Sequence, residues 1–420
     1  MAKIEKVKAR EILDSRGNPT IETTVWLSGG ISELASVPSG ASTGKYEAHE
    51  LRDNDLTRFG GQGVLKAIAN INDIISPKII GMEASEQTKL DQLLINLDGT
   101  TNKQKLGGNS ILSVSTAVLK ASAASYKLPI YQYLHKKYGQ GKKEILMPTP
   151  TFNVINGGKH GAGNNLDFQE FHVVPSKRFV FHESLRMGDE VYKKLGKTLA
   201  GRNISHSVGD EGGYAPNLFT NLDALEVIVE TIKQTNYQLS KDIFLGLDVA
   251  ASNFHQNGRY PIKDRAQPFN TDELIAYYQE LNRQYRLFSL EDPLDEDDWD
   301  GWQKLTQALR EDTLIVGDDL LTTNGERVKM AVSKNACNAI LIKPNQIGTI
   351  SETIQVINAC RQQGWKVIVS HRSGETNDTF IADFAVGIGA DYTKFGAPSR
   401  GERVVKYNRL LAIESELQPA

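Results

Sequence analysis

The chain has 420 residues, 48 Lys+Arg against 51 Asp+Glu for a formal net charge of −3, and 40% hydrophobic and 24% charged residues. With its 36 glycines about half of the residues are apolar, the composition of a folded globular protein rather than a disordered or fibrous one. This length exceeds what one core supports, so two domains are expected, and the balanced charge offers neither a basic field for nucleic acid nor a polybasic patch for a membrane.

Cys337 and Cys360 cannot build a disulfide framework in a chain this long, which fits a reducing compartment. The opening MAKIEKVKARE alternates charged and apolar residues and lacks a signal-peptide apolar run. No window has the roughly 18 apolar residues of a membrane span, so a cytoplasmic protein is expected.

Ile21, Thr23, Val25 and Leu27 alternate along TIETTVWL and predict a half-buried strand, and ISELASVP beyond Gly29-Gly30 predicts its hairpin partner. Helical spacing follows: Val64, Ile68, Ile71 and Ile75 mark one amphipathic helix, Leu90, Leu94 and Leu97 a second, and Ile111, Val114 and Val118 a third that ends before Pro129. Strands followed by helices predict a small α+β domain over 1–138. The polar, glycine-punctuated stretch at 136–144 is its boundary with a second domain over 139–420.

In that second domain short apolar runs end in charged residues: IFLGLD, RLFSLE, LIVGD, NAILIK, KVIVSH and ADYTK. The terminal residues are Asp248, Glu291, Asp318, Lys343, His371 and Lys394, separated by 43, 27, 25, 28 and 23 residues. Helices fill the gaps, one opened by the capping pair Asn270 and Glu273. Repeated strand-helix units predict a parallel sheet closed as a (β/α)8-type barrel, with an open doubly wound sheet as the rival.

A parallel barrel gathers its strand ends at one mouth, so six charged strand ends in succession mark a site. Asp248, Glu291 and Asp318 offer only oxygen ligands, which suits a hard cation such as Mg2+. Lys343 closes an apolar run, where desolvation and a neighbouring cation would lower its pKa towards that of a general base. Lys394 is a second candidate for that part, or an anion holder, or a neutralising partner of the carboxylates. His371, Arg372 and Ser373 together form a candidate oxyanion site, because a guanidinium matches phosphate or carboxylate oxygens bidentately.

Two glycine-rich loops present further groups: Glu211 in GDEGGYAPN, and His160 and Glu170 in NGGKHGAGNNLDFQEF. Seven small or turn residues from Pro38 to Gly44 bracket Ser39 and make either a lid over the mouth or a mobile loop. A cation, a lysine base, an opposing carboxylic acid and an anion clamp suit proton abstraction beside a carboxylate, with Glu211 protonating a departing hydroxyl.

The motifs DSRGNPTIE, SGASTG, NGGKH, QEF, GDEGG, LDVAAS, LEDP, GDDL, IKPNQIGT, SHRSGET and GAPSRGERVVKYN resemble the enolase family along essentially the whole chain. The resemblance implies a small N-terminal α+β domain on a barrel with irregular first units, and a homodimer or ring of dimers. It implies interconversion of 2-phosphoglycerate and phosphoenolpyruvate with two Mg2+ per active site, the second arriving with the small anionic phosphorylated substrate. By position, Asp248, Glu291 and Asp318 would hold the first Mg2+ and Ser39 would meet the second. Lys343 would be the base and Glu211 the acid supported by Glu170. His160, His371, Arg372, Ser373 and Lys394 would contact the substrate. The departures are Phe395 in place of a small hydroxyl residue, SRGER for ARSER, GGNSILSVS for GANAILGVS, Asn253 for Glu, and one extra residue between His160 and Glu170. They leave a paralogue acting on a related phosphonate or carboxylated phospho-acid as the alternative.

Overall fold

The computed structural model describes residues 2–40, 44–139, 144–161 and 163–418. Three residues of the segment after Pro38 (41–43), four of the boundary stretch (140–143) and one of the His160–Glu170 loop (162) lie outside the described residues.

The N-terminal part is an antiparallel sheet of β1 (Ile4–Leu13), β2 (Pro19–Leu27) and β3 (Ile31–Ser36) in that order. The charged-apolar alternation at the N-terminus is thus itself a strand. A register shift between Ile4 and Lys6 brings Ile4 into the core with Val7 and Ala9. Ile21, Thr23, Val25 and Leu27 are buried as the alternation predicts, and β2 and β3 pack against the helix Gly108–Ser125. Gly29 and Gly30 turn the hairpin at φ 90° and 80°, which a side chain would disfavour. The helix expected around Ile68 and Ile71 runs as Leu65–Ala69 and Ser76–Ile79 with a π-helical stretch, Asn70–Ile75, between them. Within that stretch the Asn72 amide oxygen accepts the Ala9 N–H at 2.9 Å, which ties the helix to β1.

Eight further strands close into a barrel: β4 (Thr149–Asn156), β5 (Glu170–Pro175), β6 (Ile243–Asp248), β7 (Ser289–Glu291), β8 (Leu314–Gly317), β9 (Ala339–Ile342), β10 (Lys366–Ser370) and β11 (Tyr392–Lys394). Closure excludes the open doubly wound sheet. The expectation of a wholly parallel sheet needs one correction, because β5 runs antiparallel to both β4 and β6. Among the described residues β4 is joined to β5 by a loop whose one helical turn is the 3-10 segment Gly158–His160, so the chain returns without a crossover α-helix, and two consecutive helices (Phe181–Gly201 and Asn221–Lys233) then precede β6. From β6 onward each strand is followed by a helix and pairs in parallel with the next. The capping box is present: Glu273 N–H donates to Asn270 Oδ1 and Asn270 N–H to Glu273 Oε2, both at 2.9 Å.

Candidate active site

The strand termini gather the charged residues. Asp248 and Glu291 end β6 and β7 opposite one another, and Asp318 follows the last residue of β8. Lys343 and His371 follow β9 and β10, and Lys394 ends β11 opposite Ser370. Glu170 reaches this mouth only because β5 is reversed: its first residue pairs with Asp248 and with Asn156, the last residue of β4. Asp248, Asp318, Lys343, His371, Lys394 and Glu211 line one cavity, together with His160, Glu170, Arg372 and Ser373.

Lysines neutralise the predicted metal carboxylates. Lys394 Nζ lies 2.9 Å from Asp248 Oδ2, 2.9 Å from Glu291 Oε1 and 3.3 Å from Glu170 Oε1. Burial works against the ammonium, but these carboxylates hold its pKa well above the ordinary lysine value. Lys343 Nζ sits 2.5 Å from Asp318 Oδ2. Its pKa is raised, not lowered as the apolar run suggested, because the Asp318 carboxylate outweighs desolvation.

Glu211 lies between two imidazoles, with Oε1 3.6 Å from His160 Nδ1 and Oε2 3.3 Å from His371 Nε2. Burial and Glu170 push its carboxyl up, yet His160 and His371 pull it down to about 2, so it stands ionised here. Glu170 accepts from His172 Nε2 at 2.9 Å and lies 3.6 Å from His160 Nδ1. Buried Arg372 donates from both Nη atoms to Glu47, at 2.8 and 3.2 Å, and at 3.2 Å to Asn345 Oδ1. Ser373 is buried beside it. Two predicted site residues do not line this cavity: Glu291 is held against Lys394, and the Ser39 hydroxyl donates to Asp14 Oδ2 at 2.5 Å while its backbone bridges to Gly374.

The donor set fits a divalent cation. Asp248 Oδ1 is buried without a hydrogen-bond partner. Burial and the neighbouring Asp248, Asp318 and Glu170 charges, working against Lys394, hold the Glu291 carboxyl well above its usual range, a strain that a cation relieves. Two tighter groups also exist among the described residues, Asp292 with Asp318 and Asp319, and His160 with Glu170 and Glu211, each with ligand atoms within 4.8 Å.

Residues 4–134 match the family described as the enolase N-terminal domain, and residues 144–420 the enolase C-terminal TIM barrel domain. The chain belongs to the enolase family. Its barrel mouth is accordingly that of an enolase-superfamily lyase, with acidic groups able to hold a metal ion. No helix of the described residues is long and apolar enough to cross a membrane.

Within this enolase site the sequence reading missed several partners. Asp292 follows Glu291 in LEDP, and its carboxylate accepts the N–H groups of Asp318 at 3.0 Å and Asp319 at 2.6 Å. His172 stands two residues beyond Glu170 on a strand, so the period-2 rule places both on one face and would have found it. Glu47 carries no local signal for its pairing with Arg372, which joins positions 325 residues apart. Phe395 does not line the cavity: it is fully buried, with its ring 6.2 Å from that of Tyr407.

Proposed function

We propose that this chain is a Mg2+-dependent phosphopyruvate hydratase that interconverts 2-phosphoglycerate and phosphoenolpyruvate. It acts in cytoplasmic glycolysis and gluconeogenesis as a homodimer or ring of dimers. The observation that carries the reading is one cavity lined by Lys343 and Glu211 together with Asp248, Asp318 and the His371-Arg372-Ser373 cluster.

Lys343 takes the proton from the carbon bearing the phosphate, next to the carboxylate. The hydroxyl on the adjacent carbon then leaves as water with a proton from Glu211, and the electron pair closes the double bond. Asp248, Glu291 and Asp318 would hold a Mg2+, which would supply positive charge for the developing carbanion and draw Asp318's charge away from Lys343. The metal-free ionisation is the reverse of the working one, since Lys343 is held protonated and Glu211 ionised. Substrate charge beside Glu211 favours its protonated form. His160, His371, Arg372, Ser373 and Lys394 bind and orient the phosphate and carboxylate, and Glu170 orients His160 and Lys394. Ser39, whose hydroxyl donates to Asp14 Oδ2, would contribute to holding a second Mg2+ brought in with substrate.

Phe395 in the core, away from the cavity, supports 2-phosphoglycerate over a phosphonate or a carboxylated phospho-acid. The test is purified protein with 2-phosphoglycerate, followed by the ultraviolet absorbance of the conjugated product. A rise that requires Mg2+ is expected, and no metal-dependent rise overturns the reading.

A further inference from the structure

The motif SRGERVVKYN holds a buried arginine that the proposed chemistry does not use. Arg403 is fully buried near the start of the helix Gly401–Leu417. Its Nη1 contacts His371 Nδ1 at 2.7 Å and donates to Arg372 O at 2.6 Å, and its Nη2 donates to Ser373 O at 2.7 Å and Asp210 O at 3.1 Å. These four contacts use all four Nη hydrogens. Three of them end on backbone carbonyls of the two loops that carry Glu211 and His371-Arg372-Ser373, so the guanidinium is fixed in orientation. Gly396, at φ 85°, closes the packing: a Cβ there would stand 2.5 Å from Glu211 O, 3.0 Å from His371 Cε1 and 3.1 Å from Arg403 Cδ.

A guanidinium has N–H donors and no acceptor, and it stays protonated in proteins. The His371 Nδ1 facing it must therefore present a lone pair. The Nδ1–H tautomer and the imidazolium would each set N–H against N–H at 2.7 Å. The ring's remaining nitrogen, Nε2, then carries the proton. It lies 3.3 Å from Glu211 Oε2, and both groups line the cavity, so its N–H stands at the cavity beside that carboxylate.

We propose that Arg403 is a positioning residue that holds His371 as the neutral Nε2–H tautomer, so that His371 meets the bound anion as a hydrogen-bond donor and not as a base. The tautomer follows from the contacts alone, while its use on the anion rests on the proposed hydratase reaction. Burial of the ring together with the Arg403 charge, acting against the pull of Glu211, leaves His371 less basic than an ordinary histidine, in keeping with a neutral ring.

The test is long-range proton–nitrogen correlation spectroscopy of the histidine-labelled full chain at neutral pH, with the His371 signal assigned by its loss in His371→Asn. Wild type should show an unprotonated Nδ1 and a protonated Nε2, and Arg403→Met should lose that pattern for mixed tautomers or an imidazolium. A wild-type His371 with Nδ1 protonated overturns the proposal, and so does an Arg403→Met protein that keeps the Nε2–H pattern with native circular dichroism. If Arg403→Met does not fold, the wild-type spectrum alone decides the tautomer. Arg403→Lys, with one ammonium for four contacts, should then shift the Nδ1 resonance, and an unmoved resonance counts against the positioning role. Failure of the hydratase assay would leave this spectrum unchanged, so the two readings fail separately.

Discussion

The ammonium of Lys394, at the end of β11, lies 2.9 Å from the Asp248 carboxylate at the end of β6, beyond β4 and β5 round the barrel, and reaches Glu291 Oε1 at the same distance. One lysine thereby serves two of the three carboxylates proposed to bind metal, Asp318 being paired with Lys343. Removing it should leave buried charges unpaired, a loss of about 3–5 kcal/mol. Lys394→Met is therefore expected to melt well below wild type without metal and to regain much of the difference in millimolar Mg2+, because binding to the folded state alone stabilises it. Melting curves with and without Mg2+ check this, and an equal deficit in both would argue that the carboxylates do not hold the ion.

Lys343 and Glu211 are assigned separate proton transfers. Lys343→Ala should lower turnover by about 100- to 10,000-fold or more and should also abolish exchange of the substrate's α-proton with deuterated water. Glu211→Gln should lose water elimination while retaining that exchange. Mass spectrometry of recovered substrate separates the two, and exchange surviving in Lys343→Ala would reject the base assignment.

Asp319 is half-buried beside Asp318. Desolvation and that neighbouring charge raise its carboxyl to about 7. A carboxyl whose folded pKa exceeds its unfolded value of about 4 binds its proton more tightly when folded. Its contribution is therefore favourable at low pH and is lost as pH rises from about 4 through 7. Asp319→Asn should stabilise the metal-free protein at pH 8, on the order of 1 kcal/mol, and change little at pH 4. Urea unfolding at both pH values checks the sign, and a variant destabilised at pH 8 would contradict it.

Arg372 is held in the barrel by Glu47 from the N-terminal part, through both Nη atoms. An anion binding Arg372 competes with that carboxylate. Glu47→Gln is expected to bind inorganic phosphate more tightly in titration calorimetry and to lose about 1–3 kcal/mol of stability. Unchanged or weaker phosphate binding would show that Arg372 does not receive the anion this way.

The candidate site was legible where chemistry follows from local spacing. Six runs of apolar residues, each closed by a charged residue, located Asp248, Glu291, Asp318, Lys343, His371 and Lys394. A strand's period and the strand-helix repeat are properties of consecutive residues, so the closed barrel and its occupied mouth could be read before any coordinates. Ser39 shows the opposite limit: its loop is conspicuous in the sequence, but the partner of its hydroxyl, Asp14, belongs to another loop. The approach of Glu170 to Asp248 depends on the direction of β5, which apolar periodicity does not encode because parallel and antiparallel strands share a period of two.

Composition, periodicity and motif order by themselves determined the two-part architecture, the barrel and the residue types at its mouth, since each depends on neighbours along the chain. Only the tertiary structure decided how those charges are paired. Folding joined Arg372 to Glu47, set Lys343 against Asp318, and placed Arg403 on His371 Nδ1. These contacts turn a list of acids and bases into defined protonation states, which depend on distances of a few ångströms between residues remote in sequence, in a buried medium where each charge acts strongly on the next.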